Sequence, residues 1–92
     1  MPLFVVILKF TDDRDHVLAN RPAHREYLMS MLAQGKLVES GPFADDSGGM
    51  VIYEAEDRAA VEQILADDPY APAGVVVHRD TYEWTRVFQR DA

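Results

Sequence analysis

His24 and Asp68 are the side chains of this 92-residue sequence best suited to move a proton. An imidazole titrating near neutrality accepts one, and a carboxylate beside it fixes the ring tautomer and stabilises the cation that forms. The sequence places His24 in the opening turn of a first helix, where the positive amino end favours the neutral, proton-accepting ring. Asp68 falls at the carboxyl end of a second helix, where the same dipole disfavours a carboxylate. Both are local misfits, and a misfit marks either a packing constraint or a position where stability was traded for chemistry. Arg21 and Arg25 flank His24 and discourage its protonation. With helix N–H groups they would neutralise an enolate-like anion.

Each residue also has a plainer reading. His24 can be a partly buried ring bonded to a backbone carbonyl, and Asp68 can start an Asp-Pro turn by accepting N–H groups two residues on. Tyr70, just past the Asp68-Pro69 bend, is the aromatic side chain assigned to a pocket. Gly41 and Pro42 are assigned to it as well, at a strand end where backbone bends or approaches another group.

The elements that must position these residues follow from periodicity. Leu3 to Leu8 is a continuous run of β-favouring residues, read as a strand buried on both faces. Thr11 to Asp15 is a charged loop. Pro22 suits a first helical turn with Asn20 as cap, and Tyr27, Leu28, Met31 and Leu32 recur at helical spacing until Gly35 stops them. Leu37 and Val38 begin a second strand ending near Gly41-Pro42-Phe43. Asp45 to Gly49 reads as a turn, and Met50 to Ala55 as the third strand of a hairpin. Asp57 caps a second helix with the face Ala60, Val61, Ile64 and Leu65, which Asp68-Pro69 ends. Val75 to Val77 opens a last strand running through Tyr82 and Trp84.

The order β-α-β-β-α-β is the ferredoxin-like α+β arrangement, in which right-handed crossovers set both helices on one face of a four-stranded antiparallel sheet. The opposite face is then left bare, although the first and last strands are apolar there too. Leaving such side chains wet forgoes roughly 1.5–3 kcal/mol each. The expected remedy is a homodimer with two-fold symmetry, its open sheet faces packed together.

Composition restricts the partners. The length fits one domain spanning residues 1–92, and 48% apolar residues make it globular. A net charge of −7 and a pI near 4.7 disfavour nucleic acid and anionic membrane surfaces. The absence of cysteine removes disulfides, thiolate metal sites and cysteine nucleophiles. The run from Leu3 to Leu8 is too short for a membrane span or a signal peptide, so a cytoplasmic protein is expected. His16, His24 and His78 share no ligand spacing, and Asp12 to Asp15 lacks the glycine and terminal glutamate of a calcium loop. Ser40 is in no nucleophile elbow, and Gly48-Gly49 suits a hairpin turn better than a phosphate cradle. Neither metal nor cofactor is therefore expected.

Several short motifs, taken together in order, resemble those of the YciI-like (YCII-related) family in the dimeric α+β-barrel superfamily. They are Arg21, His24, Tyr27-Leu28 and Gly35, then Ser40-Gly41-Pro42-Phe43, Gly48-Gly49, Asp68-Pro69-Tyr70, Ala73-Gly74-Val75 and Trp84. The resemblance implies the same fold and dimer, and makes His24 and Asp68 the family's active-site pair. One branch looks like dehydrochlorinases of chlorinated hydroxyquinols, and the superfamily includes muconolactone isomerases. The sequence departs from the pattern at its acidic Asp12 to Asp15 loop and at Arg25, so no particular substrate carries over. The expected function is a small cofactor-independent enzyme that abstracts a proton from a compact cyclic oxygenated molecule, as an isomerase or a dehydrochlorinase-type lyase. A module that only binds a small ligand or another protein is the alternative.

Overall fold

Strand β1 (Leu3–Phe10), helix α1 (Arg14–Ala33), strands β2 (Leu37–Pro42) and β3 (Gly48–Glu54), helix α2 (Arg58–Asp67) and strand β4 (Val76–Trp84) follow one another in the computed structural model, which describes residues 1–90. The sheet runs β2-β3-β1-β4 with every neighbouring pair antiparallel. This is the expected βαββαβ fold. Its strand β1 is not buried on both faces as its apolar run suggested but alternates, because both helices lie on one side. Phe4, Val6, Leu8 and Phe10 are buried beneath them, with Val17, Leu28 and Met31 from α1 and Val61, Ile64 and Leu65 from α2. One face of each helix is thus spent on one face of the sheet.

The first helix begins well ahead of Pro22, at Arg14. Asp13 is its cap, with its carboxylate accepting the His16 N–H at 3.2 Å, and Asp15 adds negative charge to the first turn. Pro22 lies inside the helix, where burial of Val17 ahead of it and of His24, Leu28 and Met31 beyond it outweighs the local cost. Its ring withholds the N–H that Leu18 carbonyl would accept. Replacing Pro22 by Ala should therefore stabilise the fold by about 1–2 kcal/mol, the helix gain exceeding the lost stiffness of the unfolded chain, read as a rise in melting temperature. At the other end the expected stop is present. Gly35 takes φ +75°, its N–H donates to Leu32 carbonyl at 3.1 Å, and the Lys36 N–H donates to Met31 carbonyl at 2.9 Å.

The β2–β3 turn is also displaced from its expected place. Gly48 and Gly49 belong to strand β3 and are buried, and the turn is made by Phe43 to Ser47. There Asp45 accepts both the backbone N–H and the hydroxyl of Ser47, and Asp46 adopts a left-handed φ of 59°. A Cβ on Gly49 would stand 2.9 Å from Gly41 carbonyl, so the close approach at the β2 edge needs glycine at position 49 rather than at 41.

The other sheet face has two characters. Register places Val5 beside Ile52 and Tyr82, and Leu3 beside Trp84, so this end is apolar, with Tyr82 57% exposed. Towards the far end Ile7 lies beside Asp80, and Lys9 beside His78. Among the described residues no helix is long and apolar enough to cross a membrane.

Candidate active site

Helix α1 presents Arg21, His24, Arg25, Leu28 and Leu32 along one stripe, at the three- and four-residue spacing that superimposes side chains on one face. Opposite it runs the β2 edge with Ser40, Gly41 and Pro42, and between them lies a hollow of about 390 Å³ floored by Leu8, Phe10 and Val51. That volume suits a compact organic ring. A second hollow of similar volume, bordered by Tyr27, Met31 and Ile64, is lined by no histidine or arginine among the described residues. Chemistry, not size, distinguishes the two.

His24 sits in the middle of α1 rather than in its first turn, so the helix amino end does not set its charge and supplies no free N–H groups beside it. Its electrostatics come from Asp68. The C-cap of α2 turns extended at Asp68, with ψ 130° ahead of Pro69, and this delivers the carboxylate to the ring. His24 Nδ1 lies 2.9 and 2.8 Å from the two carboxylate oxygens, with both residues buried. A carboxylate only accepts hydrogen bonds, so Nδ1 donates, and in the neutral ring Nε2 then keeps its lone pair. Nε2 has no hydrogen-bond partner among the described residues, and His24 lines the hollow while Asp68 stands behind it. Asp68 also accepts the Tyr70 N–H at 2.9 Å, so the turn-forming role and the histidine-orienting role coexist in one carboxylate.

Tyr70 ties these parts together. Its ring stacks on the imidazole at 3.8 Å and 2°, its edge meets Phe10, and its hydroxyl accepts from Arg21 Nε at 3.3 Å. Arg21 in turn donates to both oxygens of Asp46, at 2.9 and 3.2 Å. Arg14 pairs with the same carboxylate. Thus Arg21, His24, Arg25, Tyr70, Gly41 and Pro42 all border one hollow. Asp46 is the partner that sequence reading passed over. Its signal was an aspartate in a turn, which position alone does not distinguish from Asp45, whose carboxylate is bonded within the turn to Ser47.

Arg21, followed by Arg14, holds the Asp46 carboxyl below its ordinary value of 3.8. A carboxyl depressed in the folded state contributes stability above the unfolded value and loses it as pH falls through the folded one. Acidification below about pH 3.8 should therefore loosen the β2–β3 turn from α1, seen as Asp46 and Arg21 chemical-shift changes that Asp46→Asn abolishes. Tyr53, buried in the core, has its ionisation pushed up, first by burial and then by the Asp68 charge, so its phenol stays neutral and is no base.

The YCII-related domain matches residues 2–85 of the chain. The chain belongs to the YCII-related family. Protein YciI of Escherichia coli O6:H1 is 31% identical over 87 residues, covering 84% of this chain and 89% of that protein, and Protein YciI of Shigella flexneri matches equally. Among solved structures, 5-chloro-2-hydroxyhydroquinone dehydrochlorinase from Burkholderia phenoliruptrix AC1100, in complex with 2,5-dihydroxybenzoquinone, is similar at 26% identity. It superimposes with a TM-score of 0.82 over 92% of this chain and 95% of that one. Muconolactone isomerase shares the fold at 14% identity, with a TM-score of 0.72 and 97% of both chains covered. The YCII-related chain therefore has a fold on which small enzymes are built, of the dimeric α+β barrel class.

Proposed function

We propose that this YCII-related protein is a small cofactor-independent enzyme in which His24 removes a proton from a compact cyclic oxygenated substrate. The observation that carries the reading is the His24–Asp68 pair, with Nδ1 engaged by the carboxylate and His24 itself lining a hollow of ring size. Nε2 takes a proton from carbon or hydroxyl next to a carbonyl, and the released electron pair moves onto the oxygen-bearing system. From that anion either a halide leaves, completing an elimination, or the proton returns at another carbon, completing an isomerisation. Asp68 stabilises the imidazolium between the two transfers. The similarity to a dehydrochlorinase over nearly the whole chain supports the elimination branch. Arg21 and Arg25 supply the positive charge opposite the developing anion, and Tyr70, Gly41 and Pro42 shape the walls.

The test is His24→Ala assayed on chlorinated hydroxyquinols and small unsaturated lactones, with substrate deuterium exchange in heavy water as a second readout. Loss of both turnover and exchange from a folded variant is expected. Unchanged turnover overturns the assignment, and a wild type that binds ring compounds without exchange is a binding module instead.

The proposal extends to a homodimer formed through the open sheet face, where Tyr82 and Trp84 are exposed at its apolar end. Sedimentation of the wild type should give twice the chain mass of 10.4 kDa, and Tyr82→Asp should shift it towards the monomer. A wild type that sediments as a monomer at micromolar concentration removes the dimer.

A further inference from the structure

The sign of charge around the hollow opposes that of the molecule. The chain carries 16 acidic residues against 9 basic ones, yet among the described residues no aspartate or glutamate lines this hollow, while two arginines and a histidine do. An acidic protein repels anions at long range, so a locally positive cavity selects a ligand rather than merely following the composition.

The two arginines differ in what they are free to do. Arg21 is committed within the protein, both to Asp46 and to the Tyr70 hydroxyl. Its charge is still not cancelled, because Arg14 and Arg21 share a single Asp46 carboxylate. Arg25 has no hydrogen bond or ion pair among the described residues, and it is exposed at the rim next to His24. Its planar fork of donors matches a carboxylate in two parallel hydrogen bonds. Leu28, Leu32, Leu37 and Val51 offer apolar surface for a ring beside it.

We infer that the substrate is a ring compound bearing a carboxylate, which Arg25 captures while the ring is presented to His24. This rests on the proton-abstraction reading and adds the charge class of the molecule, distinguishing an acid from a neutral quinol. Arg25 is thereby a specificity-determining residue. A solvated Arg25 without such a role predicts no discrimination between an acid and its neutral isostere.

The full chain should be titrated by calorimetry and by chemical-shift mapping with 4-hydroxybenzoate and with 4-hydroxybenzamide, which match in shape and differ in charge. The acid should bind at least about tenfold more tightly, the scale of one charge-assisted contact. In Arg25→Gln the preference should collapse to about twofold or less, with the affinity for the amide retained, and Arg25→Lys should restore part of it. Melting curves taken alongside should find the Arg25 variants folded, as the exposure of Arg25 favours. His24→Gln should keep the preference for the acid while losing turnover, so failure of the proton-abstraction reading and failure of this one give different results. Equal binding of the two probes by the wild type, binding of neither at millimolar concentration, or a preference that survives Arg25→Gln overturns the inference.

Discussion

Asp68→Asn should lower kcat by about 10²–10⁴ while leaving the protein folded, a larger loss than any other conservative change at the site. The asparagine keeps the carbonyl oxygen that accepts the Tyr70 N–H, so the bend at Asp68-Pro69 retains its hydrogen bond. Its amide nitrogen then replaces the Oδ2 that stood 2.8 Å from His24 Nδ1, while Oδ1 stays at 2.9 Å and is shared with the Tyr70 N–H. At the shorter contact two donors would meet, and the remaining oxygen is already engaged by Tyr70, so the balance moves to the tautomer whose Nδ1 accepts and whose Nε2 carries the hydrogen. The nitrogen at the hollow then has no lone pair to take a proton. Stacking against Tyr70 at 3.8 Å holds the ring plane in place, so the loss falls on protonation state and not on position. Steady-state kinetics should show kcat reduced with KM within a few fold, and ring nitrogen shifts should report the reversed tautomer. Wild-type kcat in the Asp68→Asn variant would mean that Asp68 only builds the turn. A collapse of the fold is not expected, because the buried carboxylate leaves together with its charge.

The order of elements was legible from the residues because strand and helix periods differ and because Gly35, Asp57 and Pro69 punctuate them where the structure does. The start of α1 was not. Pro22 and Asn20 form a plausible local signal, but burial of Val17 extends the helix back to the Asp13 cap, and tertiary packing decided between two legal starts. That error carried a wrong electrostatic account of His24, whose orientation comes from a carboxylate 44 positions away rather than from the helix end. Contact between His24 and Asp68 depends on how two helices lie on a sheet, which local pattern does not encode. The same holds for Asp46, which is brought to Arg21 only by the β2–β3 turn. Gly48-Gly49 misled for a related reason. Paired glycines signal a turn, but here they answer to crowding between strands.

That crowding yields the second large effect. Gly48→Ala should destabilise the protein by about 3 kcal/mol or more, in a chain of a size whose whole stability is about 5–15 kcal/mol. A Cβ at position 48 would overlap Leu8 carbonyl and approach Leu8 carbonyl carbon at 3.0 Å. These are backbone atoms of the central strand β1, so no side chain can rotate away. The β1–β3 ladder itself must part at the Lys9–Gly48 pair. Melting temperature should fall by at least about 12 °C, at roughly 4–8 °C per kcal/mol for a domain of this length. Gly41→Ala is the matched control, since its added Cβ meets nothing within 4 Å, and it should cost no more than about 0.5 kcal/mol. The two substitutions also differ in reach. Gly48 directly follows the turn that carries Asp46, and its carbonyl accepts the Phe43 N–H that closes the turn. Parting the strands there would draw Asp46 away from Arg21, and with it the hydrogen bond that Arg21 makes to Tyr70, the ring stacked on His24. Residual folded Gly48→Ala protein should accordingly show altered Arg21 and Tyr70 shifts, whereas Gly41→Ala should leave both in place.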